Sequence, residues 1–145
     1  MITLTRSIEW DMGHRVPNHN NQCRFPHGHR YKLEVTLSGV VNQDEGNSSE
    51  GMIIDFGDVK GILMSEIHDV LDHGFMVAST DPLFQTACGL SEEDLKVIRM
   101  PFIPTAENIV VWCHETLKKA FHSSDIVVEM CRLYETPKSW ADSRI

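Results

Sequence analysis

Two stretches near the N-terminus alternate apolar and polar residues with a period of two, and one loop rich in Pro and Asn joins them. In residues 2–14, Ile2, Leu4, Ile8, Trp10 and Met12 share one parity, while Thr3, Thr5, Ser7, Glu9 and Asp11 take the other. In residues 30–38, Tyr31, Leu33, Val35 and Leu37 alternate with Arg30, Lys32, Glu34, Thr36 and Ser38. Successive side chains of a strand point to opposite faces, so both stretches read as half-buried strands. The joining loop, residues 16–26, predicts that they pair antiparallel as a hairpin. Such a hairpin has one greasy face, and the rest of the chain must cover it.

Two later segments have the 3.6-residue spacing of covering helices. Asp55 can cap a helix with Val59, Ile62, Leu63, Ile67, Val70 and Leu71 on one side, and Pro104-Thr105 opens another with Ile109, Val110, Cys113, Leu117, Ala120 and Phe121. Residues 52–55 read as a short extended piece and residues 74–104 as irregular, with a short helix begun by Ser91-Glu92-Glu93-Asp94. Strands are predicted over residues 126–135 and 139–145. The order β-β-α-α-β-β predicts an α+β fold: a four-stranded antiparallel sheet with two helices on one face. The 145 residues suit one domain, 1–145, around one core.

Charge narrows the function. The chain carries 13 basic and 21 acidic residues, a formal charge of −8, so no global positive field attracts nucleic acid or anionic membrane. No apolar run approaches membrane-spanning length, and MITLTRSIEW lacks a secretory core, so a cytoplasmic protein is expected. Twelve of the acidic residues fall in residues 42–95, whereas residues 1–41 carry five basic and three acidic. An anionic ligand near Arg15, Arg24, Arg30 and Lys32 therefore stays compatible with the net acidity.

The strand parity also places the histidines. His14 continues the apolar face of the first strand, and His27 and His29 begin that of the second. If the strands pair, directly opposed Cβ atoms lie about 4.5–5.5 Å apart and three imidazoles converge at one end of the hairpin. Three histidines with a fourth position open is the ligand set of a catalytic zinc site. A bare H-x-H alone would be weak; the matching parity of a third His makes the case. Cys23 is available as a fourth ligand, though a closed site would leave no room for chemistry, and His19 reads as an exposed loop residue.

Other candidates have two readings each. Cys23, followed by Arg24, is a thiolate favoured by charge or a small buried thiol; Cys88, Cys113 and Cys131 read as buried thiols. Asp72-His73 is a proton relay or a polar helix end. Glu135 is an exposed charge or a buried anchor for ligand N–H groups. Thr105 and Glu107 most simply cap the second helix.

Six motifs in order carry a resemblance: G-H-R (Gly13, His14), C-x-x-x-H-G-H-x-Y (Cys23 to Tyr31), G-M-I-I-D-F (Gly51 to Phe56), L-D-H (Leu71 to His73), P-T-A-E-N (Pro104 to Asn108) and Y-E-T-P (Tyr134 to Pro137). Together they resemble the 6-pyruvoyl-tetrahydropterin synthase / 6-carboxy-5,6,7,8-tetrahydropterin synthase (QueD) family, from about Ile2 to Pro137. The resemblance implies a tunnelling fold whose protomers join edge to edge into rings, two of which stack as a homohexamer (a dimer of trimers) with the site at a subunit interface. It implies zinc on His14, His27 and His29, Cys23 as proton acceptor, Asp72 and His73 as relay, and Glu135 as pterin anchor and relay member. It also implies Thr105 and Glu107 holding the pterin from a neighbouring subunit.

The implied reaction is a zinc-dependent lyase step on 7,8-dihydroneopterin triphosphate, with the metal acidifying C–H positions next to side-chain hydroxyls and Cys23 moving protons as triphosphate leaves. The three residues between Cys23 and His27 resemble the carboxy-forming branch, which also loses acetaldehyde in making a queuosine precursor. The alternatives are 6-pyruvoyl-tetrahydropterin synthase of tetrahydrobiopterin biosynthesis and, in another class, a non-catalytic zinc-binding scaffold. Intact Cys23, His73 and Glu135 weigh against a scaffold.

Overall fold

The computed structural model describes residues 1–83, 86, 94–122 and 124–145. The predicted hairpin is its spine: β1 (Thr3–His14) and β2 (His27–Ser38) pair antiparallel over their whole lengths. The register sets Trp10 opposite Tyr31, Met12 opposite His29 and His14 opposite His27. Within the loop between them, residues Gln22–Arg24 make one 3-10 turn.

The first helix, α1 (Phe56–Leu63), runs through a π-helical segment (Met64–His68) into a last α turn, α2 (Asp69–Leu71). Asp55 caps it as expected, accepting from the Gly57 amide at 2.6 Å. Val59, Leu63, Ile67 and Leu71 are fully buried, whereas Val70 is 41% exposed. The π turn holds one residue more than an α turn and carries Val70 off the packed face. The second long helix, α3 (Ala106–Ala120), is capped by Thr105, which accepts from the Asn108 amide at 3.3 Å. Residues 52–55 do not form the expected extended strand: Ile53 and Ile54 lie in a bend.

The chain then returns to the sheet as β5 (Val127–Thr136) and β6 (Ser139–Arg144). β1, β2, β5 and β6 lie side by side in that order, each antiparallel to its neighbour as a four-stranded antiparallel sheet requires, but two further strands extend the sheet beyond β1 to six. Two strands lie where irregular chain was expected: β3 (Gly74–Ala78), parallel to the end of β1, and β4 (Val97–Met100), parallel to β3. Their sequences, GFMVA and VIRM, are only five and four residues long, too short to declare a period, and the exposed Arg99 interrupts the apolar residues of β4. The fold class stands as α+β, with a mixed rather than purely antiparallel sheet. Ser91, Glu92 and Glu93, where a short helix was expected to begin, and Cys88, expected to be a buried thiol, lie outside the described residues.

Both helices cover the same face. Ile8, Trp10 and Met12 of β1 and Tyr31, Leu33, Val35 and Leu37 of β2 join Leu63, Ile67, Ile109, Cys113 and Leu117 in the core, while Thr3, Thr5, Ser7, Glu9 and Asp11 stay exposed on the other. Each fully buried aliphatic side chain stabilises the fold by about 1.5–3 kcal/mol. The pairing register of β1 and β2 is therefore set by the core, and the histidines at their ends inherit it.

Candidate metal centre and active site

His14 is 1% exposed, with its Nδ1–H donating to the Pro104 carbonyl at 2.7 Å. The Nδ1–H of His27 donates likewise to the Phe25 carbonyl, also at 2.7 Å. A carbonyl only accepts, so each Nδ1 carries the proton and each neutral ring presents a lone pair at Nε2. These two Nε2 atoms face each other at 3.1 Å. Two lone pairs at that distance repel unless a cation lies beside them. Ligand nitrogens about 2.0–2.1 Å from a tetrahedral zinc stand roughly 3.3–3.4 Å apart, so the spacing suits such an ion.

His29 completes the group: the three candidate ligand atoms lie within 4.8 Å of one another. Its Nε2 is buried without a hydrogen-bond partner. Burial pushes the His14 and His29 pKa values below the ordinary imidazole range, and neighbouring imidazoles add to this against an opposing pull from Glu135. Neutral rings are what metal ligation needs. The parity expectation is met, and the donor set, the fixed tautomers and the orphaned His29 nitrogen all fit a metal. Neither Cys23 nor His19 belongs to the group.

The Glu135 carboxylate, on β5, stands 4.0 Å from His14 Nε2 and 3.6 Å from His29 Nε2. It lines a cavity of about 280 Å³ with His14, Cys23, Thr105, Glu107 and Trp140. Thr105 and Glu107, implied to come from a neighbouring subunit, thus share a cavity with Cys23 and Glu135 inside one chain. The exposed His19 lies at the same cavity, accepting from the Asn21 amide. Cys23 is half-buried and a free thiol.

Asp72 and His73 lie elsewhere. His73 lines a second cavity of about 410 Å³ with Asp11, Gly13, Gly28, His29 and Arg30, and the two cavities share no lining residue. The His73 Nδ1–H donates to Asp72 Oδ2 at 2.7 Å, and the Asp11 amide donates to Asp72 Oδ1 at 3.1 Å. Desolvation works to raise the Asp72 pKa, but the Asp11 amide, the His73 bond and the histidine charges outweigh it and hold the carboxyl below its usual range. His73 adopts φ +60°, a left-handed conformation unusual for a residue with a side chain. Its amide bonds to the Asp11 carbonyl at 2.7 Å, and its side chain is 77% exposed. Next to it, Gly74 lies so close to Ile98 that a Cβ there would collide.

The four cations considered for an anionic ligand are mostly engaged. Arg30 pairs with Asp11, Lys32 with Glu34 and Arg15 with Asp81. Arg24 instead lies over the Phe25 ring and donates to the Asn20 carbonyl. Sequence reasoning missed the Pro104 and Phe25 carbonyls, which set the tautomers, because a backbone acceptor leaves no mark in a sequence. It missed Asp11 beside Asp72, although strand parity already put Asp11 on the outer face.

Residues 3–144 match the family model described as 6-pyruvoyl tetrahydropterin synthase. The chain belongs to that family. Among its relatives, the 6-carboxy-5,6,7,8-tetrahydropterin synthase of Rickettsia bellii is 36% identical, the match covering 98% of this chain and 99% of that protein. The Haemophilus influenzae protein of the same name is 33% identical over 98% of each. An uncharacterized Wolinella succinogenes protein superposes with TM-score 0.82 at 25% identity, covering 99% of this chain and 97% of the other. The 6-pyruvoyl tetrahydropterin synthase of Caenorhabditis elegans superposes with TM-score 0.68 at 23% identity, covering 99% and 94%, and supports the shared fold. This family member is thus a pterin synthase homologue, and no helix among its described residues is long and apolar enough to cross a membrane.

Proposed function

We propose that the chain is a zinc-dependent lyase converting 7,8-dihydroneopterin triphosphate and one water to 6-carboxy-5,6,7,8-tetrahydropterin, with release of acetaldehyde and triphosphate, in queuosine biosynthesis. The observation that carries this reading is the pair of lone-pair-bearing Nε2 atoms of His14 and His27, 3.1 Å apart and beside a cavity that also holds Cys23 and Glu135. Relatives at 33–36% identity that bear the carboxy-forming name favour that branch over the pyruvoyl-forming one.

His14, His27 and His29 would hold the zinc, which when bound supplies Lewis-acid polarisation of the substrate's side-chain hydroxyls and so acidifies the adjacent C–H bonds. Glu135 accepts N–H groups of the pterin ring and fixes its orientation, with Thr105 and Glu107 along the same wall. Cys23 takes the proton from the side-chain carbon. Its proton passes on to His73, whose ring Asp72 orients through Nδ1 so that Nε2 is left to accept. Because His73 lines a different cavity from Cys23 and is 77% exposed, the relay pair reaches the thiol of a second copy. The active form is then a homo-oligomer, a hexamer built as a dimer of trimers, working in the cytoplasm as a single-domain protein.

The deciding experiment incubates the zinc-loaded protein with 7,8-dihydroneopterin triphosphate and identifies the pterin and the aldehyde. Carboxytetrahydropterin with stoichiometric acetaldehyde is expected. Pyruvoyl-tetrahydropterin without acetaldehyde would assign the other branch, and no turnover with zinc bound would sink the proposal.

A further inference from the structure

Arg15 was one of four cations that could meet a triphosphate, yet each nitrogen of its guanidinium already has a partner. Nε donates to Asp81 Oδ2 at 2.7 Å, one Nη donates to Asp81 Oδ1, and the other donates to the Arg24 carbonyl at 3.3 Å. Asp81 is only 4% exposed and accepts a third bond from the Leu83 amide at 2.9 Å. Drawing Arg15 away to bind an anion would leave a buried carboxylate uncompensated, a strongly unfavourable change. The planar fork of an arginine on a carboxylate also fixes orientation, which a surface ion pair does not.

What this pair holds is the loop that carries Cys23. The Val16 amide donates to the Cys23 carbonyl at 2.7 Å, and the Arg15 side chain reaches the carbonyl of the next residue, Arg24. The loop is therefore tied at two successive carbonyls, those of Cys23 and Arg24. Asp81 in turn follows β3, whose parallel pairing places Met76 beside His14. The pair thus links the thiol's loop to the strand that flanks the His14 end of β1.

We infer that Arg15 and Asp81 are a positioning pair for Cys23: Asp81, anchored after β3, holds the Arg15 guanidinium, and Arg15 holds the loop that aims the thiol into the cavity with Glu135. This rests on Cys23 being the proton acceptor of the proposed reaction. It gives the segment after His73 a task, bracing the loop that precedes His27, and it removes Arg15 from the candidates for gripping triphosphate. A thiol displaced by about 1 Å loses up to about 100-fold in rate while substrate binding is spared.

The test uses full-length, zinc-loaded protein with Asp81→Asn, Arg15→Lys and the double substitution. Each single variant is expected to lower kcat about 10- to 100-fold with KM for 7,8-dihydroneopterin triphosphate and zinc content near wild type. The double variant should be no worse than the singles, because both remove one shared interaction. Asp81→Glu, which keeps the charge, should recover part of kcat. Independently, without substrate, iodoacetamide labelling of Cys23, read on its own peptide by mass spectrometry, should speed up in Asp81→Asn. Unchanged Cys23 labelling would overturn the inference, as would a raised KM at unchanged kcat in Arg15→Lys, the mark of a triphosphate contact. If wild-type protein did not turn over the pterin, the reaction assignment would fall, and the labelling arm would still decide the positioning role.

Discussion

His14 and His27 face each other as equals in the imidazole cluster, yet they differ as parts of the fold, and replacing each with Ala separates the two roles. His14 is 1% exposed and its Nδ1–H satisfies the Pro104 carbonyl, whereas His27 is half-buried at the hairpin end. In metal-free protein, His14→Ala leaves a buried carbonyl unpaired, costing about 1–3 kcal/mol. The void left by the ring adds about 1–2 kcal/mol, so the total is about 2–5 kcal/mol. His27→Ala leaves its carbonyl partner, on exposed Phe25, within reach of water and costs about 1 kcal/mol or less. At about 3–4 °C per kcal/mol for a chain of this size, His14→Ala melts roughly 6–20 °C below wild type and His27→Ala within about 4 °C of it. Added zinc at 100 times its Kd stabilises wild type by about 2.7 kcal/mol, and both variants lose that gain. Differential scanning calorimetry with and without chelator checks all of this. Equal melting temperatures for the two metal-free variants would refute the buried-carbonyl reasoning, and a zinc gain surviving in both would refute the site.

Three further outcomes follow from the same geometry. Cys23→Ala and His73→Ala proteins, each inactive, should regain turnover when unfolded and refolded together, because mixed oligomers pair an intact thiol with an intact relay; a mixture as inactive as its parents would place both groups in one chain. His73→Gly should raise the melting temperature by a few degrees, since glycine takes φ +60° without the strain of about 1 kcal/mol or more, while lowering kcat by about 100-fold or more. Burial pushes the Cys131 thiol up to about 12 and that of Cys113 well above its ordinary value, so in native protein at pH 8 an alkylating reagent should label Cys23 and spare both; labelling of Cys113 at the rate of Cys23 would show a core that opens readily.

Strand parity carried the histidine cluster because it needs only two facts, the period of two and the pairing of neighbours. His14, His27 and His29 were legible for that reason, as were the caps Asp55 and Thr105, whose effect is local. β3 and β4 were not, since strands of five and four residues are too short to show a period and their pairing partners are set by the whole sheet. The separation of His73 from Cys23 was equally hidden: both belong to the family pattern, but which cavity each lines depends on how α2 ends against β1. The Arg15–Asp81 pair spans 66 residues and joins two segments with no shared pattern.

The register of the hairpin has one more effect. His14 sits opposite His27, and His29 opposite Met12, only when β1 and β2 pair as they do. A slip of one residue would turn His27 and His29 to the outer face while His14 stayed inside. A cation gripped by all three therefore binds one alignment of the strands and no other, and its binding free energy is added to that alignment alone. A metal held there would proofread the pairing of the two strands that build its site.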